Sequence, residues 1–131
     1  MISPNNKWLT QTLLVGLIPV LDRLLMWAAT TTGRVAPLVA SDFITLGLVI
    51  HISILNEGTH LLIREQAARA LLNSICPLFI TCYGVLYTLI IFSEHNTELI
   101  DIPFVLKTSL VLCLGSAAFG LILFQMTKRR Q

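Results

Sequence analysis

Two charged residues, Asp22 and Arg23, stand side by side inside an apolar stretch, PVLDRLLMW. Asp42 stands near the start of the next apolar stretch, and His51 lies well inside it. Ionisable groups in hydrocarbon are costly, so where they occur they pair with one another, meet water, or line a path for ions or protons. Glu57 and His60 add an E-x-x-H step, the spacing that contributes ligands to carboxylate di-metal bundles. Such sites also require a second E-x-x-H and further glutamates, which the chain lacks, so a solvated helix end is the expected setting for this pair. Cys76, Cys82 and Cys113 are an odd number, sit in apolar runs and lack C-x-x-C spacing, so they read as small interior side chains without a disulfide. A haem held between helices would want two histidines at matching depth, and only His51 lies within a span. There is no Walker loop, no G-x-S-x-G and no H-E-x-x-H. The expectation is a protein without cofactor, metal or enzymatic reaction.

The elements that must position these residues follow from composition. The chain has 131 residues, 55% hydrophobic and only 12% charged, against about a quarter charged in a typical soluble domain. Mean hydropathy is +0.80. The solvent is therefore a bilayer, and 131 residues hold roughly four spans of about 20 residues with little left over. Four apolar segments are found, at about residues 8–29, 38–56, 75–92 and 104–126. Unbroken runs such as LFITCYGVLYTLIIF exclude the alternating ten-residue strands of a membrane barrel. The fold expected is all-α: a four-transmembrane-helix bundle forming one polytopic domain over residues 1–131. The first span is expected to be retained, because its apolar run is too long for a signal peptide and carries Asp22 and Arg23 in its second half. A net charge of +2, confined to the ends and loops, excludes nucleic acid as a partner.

The connections have local causes. Gly33 and Pro37 interrupt the first one and make a short hairpin. The second, residues 57–73, places Leu61, Leu62, Ala68, Leu71 and Leu72 at helical spacing with Glu65 and Arg69 as an i,i+4 pair. It reads as an amphipathic helical loop, or as a continuation of the second span past Gly58. The third is acidic and ends at Pro103, a residue suited to the first turn of a helix.

Orientation follows from basic residues. Lys7, Arg64, Arg69, Lys128, Arg129 and Arg130 collect on one side, whereas the other holds Arg34 with Glu94, Glu98 and Asp101. The positive-inside rule then puts both termini and the amphipathic loop in the cytoplasm, and the expected location is a bacterial inner membrane. Trp8 and Trp27 are nineteen residues apart, or about 28 Å along a helix, which suits two interfacial anchors. Asp22 and Arg23 then lie near the outer interface. Adjacent helical residues diverge by about 100°, so these two are not expected to neutralise each other, and each needs another partner or water.

The second span carries the clearest pattern. Asp42, Thr45, Ser53, Asn56 and His60 fall within roughly 80° of one another on a helical wheel, whereas His51 points about 180° away. A polar stripe of this kind turns from lipid toward a helix, a second subunit or water. The plainer alternative bonds Thr45 and Ser53 to carbonyls one turn back. On the fourth span Ser109, Cys113, Ser116 and Gly120 form a small-residue face for close helix packing, within the chain or between copies. Lys107 can snorkel outward toward the acidic loop.

Two functional readings follow. The first is a non-enzymatic, homo-oligomeric inner-membrane subunit that senses or perturbs the membrane, as in an anti-phage defence or toxin-like system. Arg64, Arg69, Lys128, Arg129 and Arg130 would then dock a cytoplasmic protein or anionic lipid. The alternative is a small ion channel or proton-coupled transporter that uses Asp22, Asp42 and His51, with Arg23 beside them. In size alone the chain resembles small multidrug carriers, bacteriocin immunity proteins, holins and membrane subunits of anti-phage systems. No motif matches them, and the first span has Asp22 where a small multidrug carrier would have an embedded glutamate.

Overall fold

The structure is a computed structural model that describes residues 4–31, 33–61, 66–96 and 98–128. Four helices follow one another: α1 Pro4–Ala29, α2 Ala40–Leu61, α3 Gln66–His95 and α4 Ile102–Lys128. All four are long and apolar enough to span a membrane. Their ends have identifiable stops. The Thr30 hydroxyl donates to the Met26 carbonyl (2.7 Å) at the close of α1, and Gly33 adopts the left-handed backbone (φ 91°) that reverses the chain. Asp101 caps α4, its Oδ1 accepting from the Phe104 amide at 3.2 Å.

The described residues of the 57–73 segment are shared between two helices. α2 runs on to Leu61, and α3 starts at Gln66, well before Pro77, so much of that segment lengthens two spans. The reason is packing. Ala68 and Leu72 are fully buried with Ile50, Ile54 and Cys76, which gives the early turns of α3 a core to join. Glu65 and Leu62 lie outside the described residues.

Helix α2 organises the molecule. It packs against α1, α3 and α4, and α3 also meets α4, whereas α1 touches α2 alone among the described helices. The result is a three-helix core with α1 laid along one flank, an arrangement more open than a closed four-helix ring. The lipid-facing surfaces are correspondingly apolar: Leu14, Leu21 and Leu25 on α1 are exposed, as are Val111 and Leu114 on α4. In water such surfaces would be an aggregation liability; in hydrocarbon they are the expected exterior.

Candidate functional site

Polar side chains gather on two opposite faces of α2. One face meets α1. Arg23 donates through Nε to Asp42 Oδ2 at 2.5 Å, so Asp42 is the partner that Arg23 required. Farther along the same seam, Thr12 and Ser53 share a hydrogen bond at 2.7 Å between their hydroxyls. Between these contacts Gly16 lets the helices approach, because a methyl there would run into the Leu46 side chain.

Two residues of the stripe read from the sequence, Asp42 and Ser53, thus bond to α1. Thr45 is exposed and donates to the Ser41 carbonyl (2.8 Å), the plainer alternative. Asn56 is exposed near the end of α2. The side chain of His60, and with it the E-x-x-H geometry, lies outside the described residues, as do Arg64, Arg129, Arg130 and the side chain of Lys128. Arg69 is exposed on α3. Asp22 is exposed and stands with Arg23, Asp42 and Pro19 around a cavity of about 480 Å³ at one end of the seam.

The opposite face of α2 carries His51, fully buried between α3 and α4. Its Nε2 lies 2.8 Å from Ser116 Oγ, and its Nδ1 lies 3.3 Å from Cys76 Sγ. Tyr83 Oη lies 2.6 Å from the same Ser116 Oγ, and Ser116 donates to the Leu112 carbonyl at 2.9 Å. One assignment satisfies every group. With its single proton given to Leu112, Ser116 can only accept from Tyr83 O–H and His51 Nε2–H. Nδ1 is then an acceptor, and the Cys76 thiol donates to it. Imidazole, thiol and phenol are all neutral in this closed circuit, which suits a site without charge partners. Phe79 and Phe119 close over the imidazole, with ring centroids 4.7 and 6.0 Å away.

Cysteine beside histidine is the arrangement of a nucleophile and its base, and here it cannot be reached. His51, Cys76 and Ser116 have no exposed surface, so no substrate approaches the thiol in this conformation. The circuit joins three helices. Ser109, Cys113, Ser116 and Gly120 are likewise buried within the chain, with Gly120 against Ile54. Within the chain this face packs against neighbouring helices, the first of the two settings its small residues allow. The cause is that α4 has α2 and α3 on that side.

Cys76 and Tyr83 escaped notice as partners of His51, although two signals point to them. Cys76, Phe79 and Tyr83 share one helical face at i, i+3, i+7, and Gly47, one turn before His51, leaves room for a ring. Thr12, the partner of Ser53, carried no comparable signal. Among the described residues no three His, Cys, Asp or Glu side chains converge as a metal site would require.

The Arg23–Asp42 pair makes a direct prediction. Arg23→Leu is expected to cost about 2 kcal/mol in a detergent unfolding titration, between the values for exposed and buried pairs because the Arg23 side chain is 31% exposed. Exchanging the two residues, Arg23→Asp with Asp42→Arg, is expected to restore most of that loss. A swap no more stable than the single variant would show that the pair does not hold the seam.

No protein family, curated protein or solved structure matches this chain. The class is set by the helices themselves: four candidate membrane-spanning helices make this a multi-pass membrane protein.

Proposed function

We propose that the chain is a non-enzymatic membrane subunit that assembles with copies of itself, senses or perturbs the bilayer, and presents its basic loop and tail to a cytoplasmic partner. The observation that carries this reading is the pairing of its intramembrane polar groups across helix seams. Arg23 holds Asp42, Thr12 holds Ser53, and His51 is enclosed with Cys76, Ser116 and Tyr83. Among the described residues no buried side-chain nitrogen or oxygen lacks a partner. Groups so matched act as connections between helices, whereas an ion path needs groups that can exchange partners with the ion. The flanking position of α1 leaves much of its surface free for a neighbouring copy.

The second reading, a channel or proton-coupled carrier, is favoured by the cavity at Asp22, Arg23 and Asp42. One pair of measurements separates the two. In a mild detergent or nanodisc the subunit reading expects a discrete homo-oligomer, and in proteoliposomes it expects no proton or cation flux that depends on Asp22 or Asp42. A monomer carrying a flux that falls with Asp42→Asn or Asp22→Asn, at equal protein levels, would replace it with the carrier.

A further inference from the structure

On the surface between α3 and α4 lies a groove of about 690 Å³, bordered by Cys82, Val85, Leu86, Phe104, Lys107 and Val111. Its wall is apolar except at Lys107 and the two threonines Thr81 and Thr108. The one α3 hydroxyl there, on Thr81, is already committed to the Pro77 carbonyl at 2.8 Å. Lys107 is exposed and forms no ion pair with a described residue, the acidic Glu98 and Asp101 included. A cation is thus set into a largely apolar groove without a counter-ion among the described residues.

The position of Lys107 says what complements it. The residue lies five positions into α4, about 8 Å from the start of the helix. Helical side chains lean toward the N-terminus of their helix, so the Lys107 stem carries its ammonium toward the end of α4 that meets the α3–α4 connection, at headgroup level. From Phe104 to Leu112 the groove follows α4 for about 12 Å, comparable with one leaflet of a hydrocarbon layer about 30 Å thick. A free phosphate would answer the charge and leave the groove empty, while an uncharged hydrocarbon would fill the groove and leave the charge. A molecule with an anionic head and an apolar tail answers both.

We propose that the α3–α4 groove binds one anionic phospholipid, its acyl chain against Val85, Leu86 and Val111 and its headgroup on Lys107. The site lies in the leaflet on the side of the α3–α4 connection, and the proposal is independent of the proposed function. It differs from general attraction of the basic loop and tail to anionic lipid because a single cation and a shaped groove act together.

The test is native mass spectrometry of the full chain released from nanodiscs of equal parts phosphatidylglycerol and phosphatidylcholine. The expected result is a retained phosphatidylglycerol molecule per protomer, favoured over phosphatidylcholine by about fivefold, the factor for one lysine at an anionic surface. Lys107→Gln is expected to bring that preference to parity, and Lys107→Arg to keep it. Val111→Trp leaves every charge in place and fills the groove, so it is expected to release the lipid. Inorganic phosphate added in excess is expected not to compete. Equal retention of both lipids by the native chain, a preference that survives Lys107→Gln, retention unchanged by Val111→Trp, or displacement by phosphate would each overturn the proposal.

Discussion

Leucine in place of Gly47 is expected to prevent the three-helix core from forming. Gly47 faces the phenol end of Tyr83, and even a methyl group there would overlap the ring. Tyr83 is fully buried and bonded to Ser116, so moving its ring aside would break that contact. Overpacking a filled core costs about 1–3 kcal/mol for small additions, so alanine is expected at the upper end of that range. Leucine should exceed it, a large share of the ~5–15 kcal/mol that holds a typical domain. The helices would still insert, since each span keeps its apolar length. The loss should therefore appear in tertiary measurements: cooperative unfolding in detergent, and Cys76 alkylation, which is blocked by burial in the native fold. Combining Gly47→Ala with Tyr83→Leu should recover part of the loss, because the two changes act at one contact. Equal stability of Gly47→Leu and the native chain would remove the close approach of α2 to α3 from this account.

Ser116→Ala should cost about 2 kcal/mol, or roughly a 30-fold fall in the folded-to-unfolded ratio. Two effects compete in that value. Hydrogen bonds between membrane helices are often worth only about 0.6 kcal/mol, because the separated helices also find partners. Against this, Ser116 accepts from two fully buried donors at once, on His51 and Tyr83, and its removal strands both. An unsatisfied buried donor costs about 1–3 kcal/mol, and the two together outweigh the modest average. Removing the donors as well tests the mechanism. The triple variant Ser116→Ala, His51→Leu, Tyr83→Phe has little left to strand, and should be more stable than Ser116→Ala alone by at least about 1 kcal/mol. A triple variant less stable than the single one would mean that packing around the imidazole outweighs its hydrogen bonds.

The bilayer, the helical class and the number of spans were legible in the residues, because each follows from local length and hydropathy. Part of the stripe on α2 was legible too: Asp42 and Ser53 share a face through helical periodicity alone, and both bond to α1. Periodicity gives the direction of a side chain on its own helix, and the opposite placing of His51 was correct for the same reason. It does not give the neighbour. Arg23 could be assigned the need for a partner, yet its pairing with Asp42 depends on how α1 lies along α2.

By itself the sequence determined which segments can leave water and which helix faces are polar, since transfer free energy and the α-helical repeat act within each segment. Tertiary structure decided the rest. It brought Cys76, Tyr83 and Ser116 around His51, turned the small residues of α4 inward, and left Lys107 in an open groove. The physical reason is that helices in lipid gain little from hydrophobicity when they meet, so close fit and hydrogen bonds between distant residues select their neighbours. Those contacts join positions 25 to 65 residues apart, as in His51 with Cys76 and with Ser116, beyond the reach of any local pattern.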